Sequence, residues 1–138
     1  MRHQVDDLCY EIIGASIEVH KIIGPGLLEK IYLQCLCREL NIRGLSFCTE
    51  YPIPLVYKGV RLEAEFRADL LVEDLVIVEL KAVNEMNPVF EAQLISYITL
   101  AEKPTGLLIN FNVPILKDGV KRLFPQKTYQ NTKVNNHD

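Results

Sequence analysis

The chain has 138 residues, 49% of them apolar, and a formal net charge of -3. That length suits one domain with its own core, an ordinary charged fraction excludes global disorder, and no apolar run approaches the roughly 20 residues that span a membrane. An acidic balance is awkward for a protein that holds nucleic acid by bulk charge, although a local basic surface or a bound divalent cation is compatible with it.

The N-terminal stretch MRHQVDDLCYE has no apolar signal-peptide core, so a cytoplasmic location is expected. Residues 5–23 place Val5, Leu8, Cys9, Ile12, Ile13, Val19 and Ile23 at helical spacing, and Gly24-Pro25-Gly26 ends that helix. A second helix is predicted over 27–40, with Leu28, Ile31, Tyr32, Cys35 and Leu36 as its apolar stripe and Asn41 and Gly44 as its stop. Residues 46–57 are rich in strand formers but carry Pro52 and Pro54, which suits an edge strand or an irregular extended segment. Lys58-Gly59 marks a turn. Residues 60–72 alternate, with Leu62, Ala64, Phe66, Ala68 and Leu70 on one face and Arg61, Glu63, Glu65, Arg67 and Asp69 on the other, so a single strand is predicted there.

Glu73-Asp74 marks another turn, and residues 75–82, LVIVELKA, read as a central strand buried on both faces. Asn87-Pro88 is a helix start, with Asn as N-cap and Pro in the first turn; the helix runs to about Ala101 and Pro104 closes it. Thr105 to Phe111 is a second buried strand, and residues 119–124 add a short last element. Beyond Pro125 the sequence turns polar, as a flexible tail would. The order α-α-β-β-β-α-β predicts one α/β domain over residues 1–124, a mixed central sheet flanked by helices. Cys9, Cys35, Cys37 and Cys48 form no CxxC pair and stand apart from His3, His20 and His137, so they read as reduced thiols rather than a zinc site.

The chemistry lies in charges that a buried strand should not hold. Glu79 and Lys81 are two apart in LVIVELK and so project from one face. Such charges are costly unless paired or bound to something, and a structural ion pair is the plainest explanation. Asp69 shifts the balance, because it lies across a predicted hairpin at the same end of the sheet. Two adjacent carboxylates repel unless a cation sits between them, and a hard divalent ion takes oxygen ligands. The register matters: a two-residue turn at Glu73-Asp74 pairs Asp69 with Val78 and sends Asp69 and Glu79 to opposite faces, whereas a three-residue loop pairs Asp69 with Glu79 directly. The metal reading therefore requires an odd loop or a bulge.

GPGLLEKIY contains Gly26-x-x-Glu29-x-x-Tyr32, and RADL, VIVELKAV, EAQLISY and LLINFNVP follow in order. With these motifs the chain, over roughly residues 8–124, resembles the GxxExxY protein family, a branch of the PD-(D/E)xK nuclease superfamily. The resemblance implies a restriction-endonuclease-like core and divalent-metal-dependent hydrolysis of nucleic acid, DNA rather than RNA. It implies Asp69, Glu79 and Glu29 as ligands of Mg²⁺ or Mn²⁺ and Lys81 as the partner of the attacking water. Tyr32 would hold Glu29 or belong to the core. Gln93 and Tyr97 resemble the extra Q-x-x-x-Y motif of RecB-like nucleases and complete the expected catalytic set, and Phe90 stands where many relatives carry His. Because all four cysteines precede Asp69, no iron-sulfur cluster is expected. Two functions are compatible with these residues: a nuclease, with a homodimer one way to cover its substrate, or a nuclease-fold module that binds nucleic acid or a protein partner without cutting.

Overall fold

The computed structural model describes residues 2–63 and 65–126; most of the expected polar tail lies outside them. Helix α1 (Arg2–Ile23) is followed by α2 (Glu29–Ile42), and the two pack together. Then come strands β1 (Phe47–Pro52), β2 (Val56–Tyr57), β3 (Val60–Arg61), β4 (Arg67–Val72) and β5 (Val76–Lys81). Helix α3 (Pro88–Ala101), strand β6 (Thr105–Asn110), a 3-10 turn (Leu116–Gly119) and β7 (Val120–Leu123) complete the order. Among the described residues no helix is long and apolar enough to cross a membrane.

The main sheet is five-stranded, ordered β1-β4-β5-β6-β7, with only β5 and β6 parallel. One face packs on α1 and α2, where Ile12, Tyr32, Leu36 and Leu40 meet Leu70, Val72, Val76, Val78 and Leu80. The other packs on α3, where Leu94, Tyr97 and Ile98 meet Leu71, Ile77 and Leu108. Helix α3 begins as the sequence predicts: the Asn87 side chain accepts the Val89 N–H at 2.9 Å, and Pro88 occupies the first turn. Gly106 lets that helix approach the sheet, since a Cβ there would stand 2.8 Å from the Ile98 side chain and 2.9 Å from the Ile77 carbonyl oxygen.

The single strand predicted over residues 60–72 is not formed. Residues 60–61 pair instead with 56–57 in a separate two-stranded hairpin, turning at Lys58 and Gly59 with φ of 47° and 81°. Regular pairing with the main sheet resumes only at Arg67. The physical reason lies in the neighbouring strand: β1 stops at Pro52, and Pro54 has no N–H to give a ladder, so the main-sheet ladder does not extend before Arg67. The predicted alternation fails too, because Ala68 packs on the α3 side and Leu70 on the α1/α2 side.

Between β4 and β5 the loop is three residues long, Glu73-Asp74-Leu75, with Val72 opposite Val76 and Leu70 opposite Val78. Glu73 and Asp74 both take left-handed backbone, φ 52° and 58°. Their side chains hold the loop to other parts of the fold. Glu73 accepts from both the N–H and the hydroxyl of Ser46 at 2.6 Å, which pulls its carboxyl below the usual range, and Asp74 pairs with Lys103 at 3.0 Å.

Candidate active site

That loop length brings Asp69 opposite Glu79. Regular β4–β5 pairing ends at Leu70, and beyond it side chains replace the ladder. The Asp69 N–H donates to Glu79 Oε1 at 3.1 Å, and the Leu80 N–H donates to Asp69 Oδ2 at 2.8 Å. Each carboxylate is thus gripped by the backbone of the other strand. On the far side of β4 the pairing with β1 also skips one position, at Glu50, which has φ 50°. The two strands flanking Asp69 are both released there, and this is where the alternation changes side.

Glu79 is 5% exposed. Burial raises its pKa first and the charge on Asp69 second, to about 8, against the hydrogen bond from the Asp69 N–H and the weaker pull of Lys81. Burial and the neighbouring carboxyl both favour the protonated form of Glu79. Lys81 does not neutralise it as an ion pair: no carboxylate lies within ion-pairing distance of its amine among the described residues. Instead Nζ stands 4.4 Å from the ring centroid of Phe90, at the start of α3. The Phe at that position therefore braces the lysine through its π face.

Glu29 opens α2 and is exposed. Its pKa is raised by partial burial and by Asp69 and pulled back by Lys81, so it lies within electrostatic reach of both. Tyr32 does not hold Glu29. Its hydroxyl donates to the Gly24 carbonyl at 2.6 Å and accepts the Leu27 N–H at 3.1 Å, and its ring stacks on Phe111 at 4.5 Å. It pins the loop from which α2 and Glu29 start. Among the described residues no three His, Cys, Asp or Glu side chains gather as a metal-holding group; the close pair is Asp69 with Glu79.

Tyr97 is buried on α3 beside this pair, its hydroxyl pKa raised by burial and then by Glu79 and Asp69. Gln93, one turn earlier, is exposed, and its side chain makes no hydrogen bond to the described residues. Sequence reasoning missed Asn110. It lies opposite Lys81 in the parallel β5–β6 register, and its amide clamps the chain leaving β5, accepting from the Val83 N–H at 3.1 Å and donating to the Val83 carbonyl at 3.0 Å. The available signal was a lone Asn closing the apolar run TGLLIN.

A family model for the PD-(D/E)XK nuclease superfamily matches residues 6–123. The chain belongs to this superfamily. The mixed sheet with flanking helices is consistent with the PD-(D/E)XK restriction-endonuclease-like fold. Members of the PD-(D/E)XK superfamily are generally hydrolytic nucleases that use divalent metals such as Mg²⁺, and some are inactive. Neither the curated proteins nor the solved structures hold a significant match to the chain.

Proposed function

We propose that this member, of the GxxExxY branch, is a Mg²⁺- or Mn²⁺-dependent nuclease that hydrolyses phosphodiester bonds in DNA. The observation that carries the reading is the exchange between Asp69 and Glu79: two carboxylates fixed side by side by each other's backbone, with no cation paired to either. Proteins do not keep such a pair for stability, since like charges in a buried place cost free energy. The donor set fits a hard divalent ion, because Mg²⁺ is commonly held by one or two carboxylates and keeps several waters. Such an ion supplies Lewis-acid polarisation of a phosphate and a bound water of lowered pKa.

This chain's own groups do the rest. Asp69 and Glu79 hold the ion, and Glu29 adds a carboxylate from the start of α2. Lys81, braced on Phe90 and free of any carboxylate, offers its amine to the attacking water or to a phosphate oxygen. Tyr97 lies behind the pair, and Gln93 stands exposed one turn away for contact with substrate. Calorimetric titration of Mg²⁺ and Mn²⁺ into the wild type and Asp69→Ala tests the site: heat of binding in the first and none in the second is expected. Cleavage assays on single- and double-stranded DNA and RNA test the activity. A wild type that cuts none of them with either ion would leave the non-cutting module as the function.

A further inference from the structure

The hairpin of β2 and β3 is unlike the rest of the surface. Residues 53–62, IPLVYKGVRL, contain Lys58 and Arg61 and no acid, in a chain of net charge -3. Neither cation is paired with a carboxylate among the described residues. Tyr57 and Val60 face each other across the turn and are 61% and 60% exposed, with Val56 and Leu62 exposed beside them. Lys58 Nζ lies 5.4 Å from the Tyr57 ring centroid, so charge and aromatic face sit together at the tip. Glu63 and Glu65 lie on the return towards β4, which confines the positive charge to the distal half.

Its position joins it to the carboxylate pair. The hairpin leaves the sheet after Pro52 and rejoins it at Arg67, two residues before Asp69. The Ile53 N–H donates to the Phe66 carbonyl at 2.8 Å and closes the base, where the Phe66 ring lies 6.2 Å from that of Tyr97.

We propose that this hairpin is a nucleic-acid-gripping arm, stacking Tyr57 on an unpaired base while Lys58 and Arg61 hold neighbouring phosphates of the strand that enters the carboxylate site. The proposal rests on the nuclease reading and names the substrate it favours: a single strand, or the frayed end of a duplex. An exposed ring on a narrow ribbon stacks only on a base whose face is free, and such stacking tolerates any sequence. The unpaired cations favour a polyanion over a second copy of the acidic chain.

The test is fluorescence anisotropy in EDTA, where binding is read without cleavage, using a labelled oligothymidylate and a blunt duplex of equal length. The wild type should prefer the oligothymidylate. Tyr57→Ala should weaken that binding by about tenfold or more, and Tyr57→Trp should retain it. The double variant Lys58→Ala/Arg61→Ala should flatten the salt dependence by about two released counterions. Circular dichroism and Tm should match the wild type in all three, because the side chains are exposed. Unchanged affinity in Tyr57→Ala, with a wild type that binds and cuts, overturns the arm and leaves the nuclease reading standing. A wild type that neither binds nor cuts overturns both. Loss of a dimer in sedimentation, with nucleic-acid affinity unchanged in Tyr57→Ala, makes the hairpin a self-association arm and also overturns the proposal.

Discussion

Strand β5 has two faces, one residue out of step, and they part company halfway along. Towards α1 and α2, Val76, Val78 and Leu80 are all fully buried among apolar side chains. Towards α3 the strand begins in the same way, with Ile77 packed among Leu94, Ile98 and Leu108, and then turns to Glu79 and Lys81. The apolar face carries the core for the whole length of the strand. The other gives up core at one end, just where β4 is released from regular pairing at Asp69. Stability and chemistry are thus assigned to opposite sides of one strand, and substitutions one residue apart should report on different properties.

The largest effect should come from the charged face. Lys81→Ala is expected to lower nuclease turnover by about 10²–10⁴-fold, with metal binding retained and a loss of stability of about 1–2 kcal/mol at most, the worth of the contact with Phe90, because no ion pair is broken. If Lys81→Ala unfolded the protein instead, the two faces would not be separable. Its neighbour should behave in the opposite way: Leu80→Ala is expected to cost about 2–5 kcal/mol in urea unfolding, while correctly folded molecules keep their metal affinity.

Acidity should separate the faces further. Glu79 has its folded pKa raised from 4.5 to about 8 by burial and by Asp69. The folded state therefore binds this proton more tightly than the unfolded chain does. The stability linked to it is fully present below pH 4.5 and is lost as pH rises through about 8. A melting curve of the metal-free protein should show this fall in Tm, and Glu79→Gln, which keeps an acceptor for the Asp69 N–H, should remove it. A metal that displaces the proton should bind about tenfold more tightly for each unit that pH rises towards that value, which calorimetry can follow by the proton released. A pH-independent affinity would mean that the metal displaces no proton from Glu79. The smallest effect concerns the frame of the charged face. Asn87→Ala removes the cap of α3 and should cost about 1 kcal/mol, read as a drop in Tm, with little change in turnover.

Local rules made much of this protein legible from its residues. The apolar run LVIVELKA reads as a central strand because period and composition are properties of the backbone itself, and Asn87-Pro88 reads as a helix start because capping is settled within one turn. The oddity of Glu79 and Lys81 in that run was equally visible, since the cost of burying charge depends only on residue type. Tertiary structure decided the rest. Whether Asp69 met Glu79 depended on a loop of two residues or three, and in the fold Ser46 and Lys103, distant in sequence, grip Glu73 and Asp74 of the three-residue loop. Residues 60–66 have the alternation of a strand, yet Val60 and Arg61 pair only with the local hairpin and the main sheet is rejoined at Arg67, because β1 stops at Pro52. Lys81 found a phenyl ring rather than a carboxylate, and Asn110 found the backbone of Val83. Periodicity says which way a side chain points; only the packing of elements far apart in the chain says what it meets.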